Sequence, residues 1–169
     1  MKQMKGVLLL LAASFFAMNV MAQDVVDVAA GSKNHTTLVA AVKAAKLVET
    51  LKGAGPFTVF APTNAAFNKL PAGTVETLLK PENIATLGGI LTYHVVSGNL
   101  DAASIMAAIK AGKGKATLPT VGGGTLTAAI VGGKVVLTDG KGGKSTVTAT
   151  DLKASNGVIH VINTVLMPK

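Results

Sequence analysis

The segment Gly140-Lys-Gly-Gly-Lys-Ser145 has the residue types closest to a known chemistry, the binding of a nucleotide phosphate. A phosphate-binding P-loop needs another glycine five positions before Gly143, and Thr138 occupies that position. The loop must also lead into a helix, whose first amides and dipole hold the phosphate. Here Thr146-Val-Thr-Ala-Thr150 follows, which is a strand pattern. The sequence therefore argues against a nucleotide site.

The serine, histidine and acidic residues form no recognisable catalytic set. No serine lies in the Gly-x-Ser-x-Gly elbow that many hydrolases use. His35, His94 and His160 lie far apart, and none has a second histidine or a carboxylate at metal-ligand spacing. The eight acidic residues include no pair that suggests acid–base work. The sequence predicts a protein that is not an enzyme and that uses no cofactor or metal.

The N-terminus has the pattern of a secretory signal peptide. Two lysines precede an apolar run over residues 6–17, and Val20-Met-Ala22 resembles a small-residue cleavage site. The run is shorter than the roughly 20 apolar residues of a membrane-spanning helix. We expect residues 1–22 to be cleaved and residues 23–169 to form a single domain, periplasmic or extracellular, with no membrane span.

The composition excludes a disulfide framework and argues against nucleic-acid binding. There is no cysteine, so the stability of an exported chain would come from packing alone. All 16 basic residues are lysine, and arginine supplies the bidentate fork that phosphate and guanine recognition usually needs. Fourteen lysines and all eight acids lie after residue 22, which gives the mature chain a net charge of +6.

Glycine-rich segments in the second half of the chain carry a group of lysines. They are Lys110, Lys113, Lys115, Lys134, Lys141 and Lys144. Lysines of this kind keep a domain soluble and protect strand edges from pairing. The alternative is a docking surface for an acidic polysaccharide, an anionic lipid or an acidic protein. The sequence favours the first interpretation, because lysine beside a turn is common.

Hydrophobic spacing predicts helices in the first half of the domain. One helix begins at Asn34 as its N-cap, and another follows Thr63, whose side chain is placed to accept the backbone N–H of Ala66. Further helices begin at Pro81, a favoured first position, and after Asp101 as N-cap. Two short strands are predicted among these helices, at Thr58–Ala61 and Thr92–Val96.

After Gly112 the apolar period changes to two, which predicts antiparallel strands. Val131-Gly-Gly-Lys134 has the pattern of a two-residue hairpin turn. Helices followed by strands indicate an α+β domain. The candidate strands are Lys115–Leu118, Thr125–Val131, Lys134–Thr138, Thr146–Thr150 and Val158–Leu166.

Two histidines lie next to apolar residues that we expect to be buried. His160 shares a side of the last predicted strand with Val158, Ile162 and Leu166. A histidine in that position is more often a neutral core residue, hydrogen-bonded at one nitrogen, than a ligand. Of the pair Tyr93-His94, we expect one side chain to face inward and the other to be exposed.

Three motifs together resemble the fasciclin domain family. Phe57-Thr-Val-Phe-Ala-Pro-Thr-Asn-Ala-Ala-Phe67 is similar to its first homology box, and Asn156-Gly-Val-Ile-His-Val-Ile-Asn-Thr-Val-Leu-Met-Pro168 is similar to its second. Tyr93-His94 matches the Tyr-His motif between them. The resemblance covers essentially all of residues 23–169. It implies an α+β fold, a wedge-shaped β-sandwich of short strands with several helices packed around it, and an exported adhesion or matrix-interaction function.

The resemblance also implies where a partner would bind. In animal adhesion members, an Asp-Ile pair before the second box and the Tyr-His region are linked to integrin binding. Asp151-Leu152 and Tyr93-His94 occupy these places here. Asn163 replaces an aspartate of the second box that would bond the first box and His160. The residues implied to be structural are Thr63, Asn64, Asn156, His160 and Asn163.

The sequence favours a secreted or periplasmic adhesion or interaction module that is not catalytic. Its partner would be a cell-surface, matrix or envelope protein or polysaccharide. A single domain bridges two surfaces only if it self-associates or binds through two faces. The adhesion interpretation therefore predicts self-association or a second binding surface. One alternative is a periplasmic binder of a small apolar or glycan ligand between the helices and the sandwich. An unrecognised hydrolase is a third class.

Overall fold

The computed structural model describes residues 22–53 and 55–169. The predicted signal peptide therefore lies outside the described residues, apart from Ala22. Within them, short 3-10 turns at Lys33–His35 and Pro81–Asn83 precede two of the α-helices. The α-helices are α1 (Val25–Ala30), α2 (Thr36–Ala44), α3 (Val48–Lys52), α4 (Asn64–Asn68), α5 (Thr74–Leu78), α6 (Ile84–Tyr93) and α7 (Ala102–Ala111). The strands are β1 (Phe57–Pro62), β2 (Val95–Ser97), β3 (Lys115–Pro119), β4 (Thr125–Val131), β5 (Lys134–Thr138), β6 (Lys144–Ala154) and β7 (Gly157–Ile162).

The seven described strands form one sheet in the order β2-β1-β7-β6-β5-β4-β3. Val96, in edge strand β2, bridges Thr120 just after β3, so the sheet curls into a nearly closed wedge. Neighbouring strands are antiparallel except β1 and β7, which run parallel with Phe57 opposite Gly157. The two family boxes thus form the centre of the sheet. The sequence predicted antiparallel pairing only, because a parallel pair separated by most of the domain leaves no local turn signal.

Two apolar cores hold the fold together, one on each side of the central strands. Outside the sheet, α1, α2, α3 and α6 pack on β1 and β7 through residues such as Leu38, Val42 and Leu91. Inside the wedge, Phe60 and Leu126 belong to the second core, with α7 packed on it through its inner face. The fold class is α+β, as predicted, with helices packed outside the strand wedge and α7 packed on the inner core.

Several predicted caps and turns are confirmed. Thr63 Oγ1 accepts the N–H of Ala66 at 3.2 Å, and Asp101 Oδ1 accepts that of Ser104 at 2.8 Å. The Val131–Lys134 hairpin forms with both turn glycines at positive φ, as a tight two-residue turn between right-twisted strands requires. In the part of the chain that the structure describes, no helix combines the length and apolar character needed to cross a bilayer.

Several predicted boundaries are wrong. The strand predicted at Thr146–Thr150 extends from Lys144 to Ala154, and the strand predicted at Val158–Leu166 ends at Ile162. Ser32, and not Asn34, caps the start of the second helical region, accepting the N–H of Asn34 itself. The predicted strand Thr92–Val96 is helical through Tyr93, and β2 begins at Val95. The run Thr-Tyr-His-Val-Val favours a strand by propensity, but tertiary packing overrides it. His94 Nδ1 bonds the carbonyl of Ile90, four residues earlier, which extends the helical pattern to the cap.

Candidate interaction site

Asp151 and Leu152 lie on an irregular stretch of β6 at the surface of the domain. The register between β6 and β7 shifts from Ala149 opposite Val161 to Leu152 opposite Ile159. The intervening bulge holds Asp151 at a φ of 59°, in the left-handed region that non-glycine residues rarely adopt. Leu152 is 40% exposed. The bulge therefore presents an acidic and an apolar side chain together.

His160, on the neighbouring strand β7, hydrogen-bonds the backbone of this bulge. Its ring is fully buried, its Nε2–H donates to the Leu100 carbonyl at 2.6 Å, and its Nδ1 accepts the N–H of Asp151 at 3.4 Å. One donor and one acceptor define a neutral imidazole. The ring also stacks on Phe60 of the first box at a centroid distance of 5.6 Å. The sequence predicted a neutral core histidine, but both nitrogens are bonded rather than one.

The N-terminus of α7 hydrogen-bonds the Asp151 side chain of the bulge. Asp151 Oδ1 accepts the N–H of Ala102 at 2.9 Å, while the preceding Asp101 caps Ser104. These carboxylates meet unpaired amides at the positive end of the helix dipole. Hydrogen bonds from Ser104, and secondarily the nearby Lys153, lower the pKa of Asp101. No described residue donates to Asp151 Oδ2, so this oxygen is the one that a partner would reach.

Tyr93 and His94 lie beneath the surface, each only 2% exposed. The Tyr93 hydroxyl donates to the Thr125 carbonyl at 2.7 Å and accepts the N–H of Gly140 at 2.9 Å, and burial raises its pKa. His94 Nε2 accepts the N–H of Leu166 at 2.9 Å. The expectation that one side chain of the pair would be exposed is wrong. Both connect core segments, and neither is placed to contact a partner in this conformation.

Asn64 ties two helix starts together. Its Oδ1 accepts the N–H of Thr37 at 3.0 Å, and its Nδ2 donates to the Lys33 carbonyl at 3.1 Å. With Thr63 capping α4 beside it, the first box fixes the N-terminal ends of both α2 and α4. The geometry agrees with the structural role that the resemblance implies for this pair.

Asn156 bonds three segments that are distant in sequence. Its Oδ1 accepts the N–H of Val25 at 3.0 Å, and its Nδ2 donates to the carbonyls of Leu51 and Gly53 at 2.6 and 3.1 Å. Its backbone carbonyl accepts the N–H of Phe57 at 2.9 Å. The side chain of Asn156 thus joins α1 to the end of α3, and its backbone carbonyl bonds the start of β1. The resemblance implied a structural role for Asn156. It did not identify the hydrogen-bond partners, because these depend on the tertiary fold.

Asn163 makes no hydrogen bond to His160, the bond that the resemblance implied for the family's aspartate at this position. Its Oδ1 accepts the N–H of Thr146 on β6 at 3.0 Å. Its link to the first-box region is made by its backbone carbonyl, which accepts from Lys69 Nζ at 2.7 Å. His160 lies inside strand β7, whereas Asn163 follows the end of the strand and bonds β6 instead.

The spaces between the helices and the sheet differ in size. An apolar cavity of about 30 Å³ lies among α1, α2, α6 and β1, bordered by residues including Val26, Leu38 and Val59. That volume is enough for about two or three water-sized probes, whereas ligand pockets occupy about 300–1,000 Å³. A cleft between α7 and strands β5 and β6 measures about 320 Å³ and is bordered by residues including Met106 and Thr148. The small-ligand alternative therefore stays a prediction. Among the described residues, no three His, Asp or Glu side chains cluster as metal ligands would.

The architecture and the box-to-box contacts define an α+β interaction domain of the fasciclin type. The sequence profile described as the Fasciclin domain matches residues 33–168. This chain belongs to the fasciclin domain family.

Individual relatives agree with this assignment. Protein sll1483 of Synechocystis sp. is 52% identical over 147 residues, covering 87% of this chain and 74% of that protein. The cell surface glycolipoprotein MPB83 of Mycobacterium bovis is 35% identical over 154 residues, covering 88% of this chain and 62% of that protein. A solved FAS1 domain pair from the insect cell adhesion molecule Fasciclin I superposes with a TM-score of 0.59 at 24% identity. That superposition covers 75% of this chain and 42% of the solved one, and it shows the shared fold.

Proposed function

We propose that this protein is a secreted or periplasmic interaction module that is not catalytic and that binds through the Asp151–Leu152 bulge. The observation that supports this most is the left-handed conformation of Asp151 beside the exposed Leu152. Aspartate tolerates this conformation better than most residues, and Lys46 and Lys113 also adopt it, but at Asp151 it coincides with a bulge. Backbone outliers of this kind cluster at functional sites. Bulges are also a common way to re-aim a side chain out of a sheet.

The hydrogen bonds of the bulge support a preorganised surface. His160 accepts from the Asp151 backbone and the α7 N-terminus donates to its carboxylate, so the backbone and one oxygen are both fixed. A rigid surface loses less conformational entropy when a partner binds. The second carboxylate oxygen and the Leu152 side chain then offer one charged and one apolar contact.

The relatives support a partner outside the cytoplasm. MPB83 is named as a cell surface protein, and the insect Fasciclin I is named as a cell adhesion molecule. We therefore propose a cell-surface, matrix or envelope protein or polysaccharide as the partner. Bridging two surfaces would also require self-association or a second binding face.

Export is part of the same proposal, and intact mass tests it. We expect the exported protein to begin at Gln23, because the pattern of residues 20–22 suits signal peptidase. The mass of the protein recovered from periplasm or medium should lack residues 1–22. An exported protein that retains both N-terminal lysines would contradict the assignment.

Substitutions at Asp151 and Leu152 should weaken partner binding while the domain stays folded. Asp151→Asn keeps an acceptor for Ala102 and a residue type that tolerates positive φ, but it removes the charge. Leu152→Ser removes the apolar contact. Each change is expected to weaken binding to isolated envelopes or matrix about tenfold or more, as the loss of an interface anchor does. Binding isotherms of labelled protein would measure this.

The matched control is Val121→Ser, which changes an exposed apolar residue elsewhere. It should bind as the unaltered protein does, and circular dichroism should show all three variants folded. Equal binding by Asp151→Asn, Leu152→Ser and the unaltered protein would remove the bulge as the site.

A further inference from the structure

The β4–β5 hairpin and the C-terminal half of α7 form a surface that the proposed function does not use. We call it the basic tip. It comprises Met106, Lys110, Lys113, Lys115, Ile130, Val131 and Lys134, all exposed. The lysine group seen in the sequence is thus divided. Lys141 and Lys144 lie at the opposite end of the sheet, because Lys144 pairs with the far end of β5 at Thr138.

Backbone pairing brings the members of the basic tip together. Lys115 on β3 lies opposite Ala129, and Val131 pairs with Lys134 across the hairpin, which places all three side chains on one face of the sheet. Ile130 projects from the other face, where it pairs with Val135. The α7 residue Met106 borders the same surface cleft as Lys134. Lys110 lies one helical turn after Met106, so their side chains share a face of α7. The surface is therefore continuous from the helix to the hairpin apex.

The positive charge of the basic tip is not neutralised within the domain. Among the described residues, ion pairs form only where Lys52 meets Asp24 and Asp27, on the other side of the fold. The acids that contact α7 are Asp101, its N-cap, and Asp151 of β6, which bonds its first amide. Each has an oxygen bonded to a backbone amide there. The four lysines of the basic tip thus form no ion pair with any described carboxylate.

The basic tip also exposes large apolar side chains. Of the five large apolar side chains exposed among the described residues, three belong to the basic tip. Val131 is 60% exposed, and Ile130 and Met106 are 41% and 39% exposed. Val131 precedes the glycine pair at the apex, so it stands at the most protruding part of the hairpin. Lysines that only maintained solubility would not need an apolar apex.

We propose that the basic tip docks onto the surface of an anionic lipid bilayer. The Val131 apex would enter the headgroup region, and the surrounding lysines would lie against lipid phosphates. Buried apolar area and attraction to anionic lipid together set the strength of such interfacial binding. A polysaccharide would use the charge but leave the apolar apex without a role. Nucleic acid is disfavoured by the absence of arginine.

Vesicle sedimentation with the full mature chain tests this proposal. We expect the protein to bind vesicles of equal parts phosphatidylglycerol and phosphatidylcholine, and not vesicles of phosphatidylcholine alone. Binding should weaken as salt screens the attraction. The triple change Lys110→Gln, Lys113→Gln, Lys134→Gln should reduce the partition coefficient about one hundredfold, at about fivefold per lysine near an anionic surface.

Two matched controls separate the basic tip from net charge and from general hydrophobicity. The triple change Lys33→Gln, Lys43→Gln, Lys80→Gln removes the same charge from exposed positions on other elements and should change the partition coefficient far less. Val131→Thr preserves the branched shape but should weaken binding severalfold. Val121→Thr, at an exposed site outside the tip, should have no effect.

Three results would overturn the proposal. One is the absence of binding to the anionic vesicles. Another is an equal loss in both triple variants, which would reduce the effect to net charge. The third is lysine-dependent binding to soluble anionic polysaccharide with no change on Val131→Thr, which would assign the surface to polysaccharide. None of these measurements involves Asp151 or Leu152, so the interaction site is tested separately.

Discussion

Replacing Gly157 by alanine is expected to unfold the domain or come close to it. Gly157 lies opposite Phe57 in the parallel β1–β7 pair, where a Cβ atom would overlap the Phe57 carbonyl oxygen. The obstacle is backbone in the central strand pair and cannot rotate away as a side chain could. The adjacent bond from the Phe57 N–H to the Asn156 carbonyl would also be displaced.

The expected loss in the free energy of unfolding exceeds that caused by adding one methyl group to a packed core. An extra methyl group in a packed core costs about 1–3 kcal/mol, and here two strands and the Asn156 bonds must move as well. We expect a loss of about 4 kcal/mol or more, against a total stability of about 5–15 kcal/mol. Urea unfolding followed by circular dichroism would measure it.

Gly89→Ala is the matched control for this change. Gly89 is an exposed position in α6, and a Cβ there meets nothing within 4 Å. Alanine is favoured over glycine in a helix by about 1 kcal/mol, so this variant should be slightly more stable. The same substitution is thus expected to have opposite signs at the two sites. A Gly157→Ala protein as stable as the unaltered chain would contradict the close approach of β1 and β7.

Local signals made parts of the fold predictable. The boundaries of β4 and β5 agree with the sequence prediction, because period-two alternation and a Gly-Gly turn depend on neighbouring residues alone. The caps at Thr63 and Asp101 were predictable for the same reason, since an N-cap side chain bonds an amide two or three residues later.

The arrangement of the candidate site was not predictable from local signals. Asp151 owes its left-handed conformation to a register shift against β7 and to the amide of Ala102, 49 residues earlier. His160 and Asn156 likewise bond segments far away in sequence. The order of residues identifies them as members of the family boxes but does not state their partners, because those depend on strand pairing and helix docking.

Helix α7 joins the two proposed surfaces. Its N-terminus bonds the Asp151 bulge, while Lys110 near its C-terminus belongs to the basic tip. The helix has 10 residues, so the two ends lie about 15 Å apart. The cleft bordered by Met106 and Lys134 is also lined by Ala102 and Thr150, which adjoin the bulge, so the two surfaces are neighbours. A partner at the bulge and a bilayer at the basic tip would therefore contact adjoining parts of the domain.

Lowering the pH from 6.5 to about 4 is expected to reduce the stability of the domain steeply. Burial lowers the pKa of His94 from its usual 6.5 to about 4, because a charge at this site would be desolvated. Its Nε2 must also stay unprotonated to accept the N–H of Leu166. Burial also lowers the pKa of His35.

The sign of the effect follows from proton binding. Between pH 6.5 and about 4, the unfolded chain binds a proton at His94 and the folded chain does not, so acid favours unfolding. One pKa unit corresponds to about 1.4 kcal/mol, which gives a loss of about 3 kcal/mol over this window from His94 alone. Above pH 6.5 this contribution should be complete and constant. Urea midpoints across the window would measure the slope.

His94→Gln separates this titration from other acid effects. Glutamine can donate and accept hydrogen bonds but has no proton to gain, so the variant should be less stable at pH 7 and lose stability less steeply towards pH 4. Parallel losses in the two proteins would show that His94 does not cause the slope. An NMR titration of the His94 ring in the folded protein should place its pKa near 4, and a value near 6.5 would contradict the buried, neutral imidazole that joins α6 to the C-terminal segment.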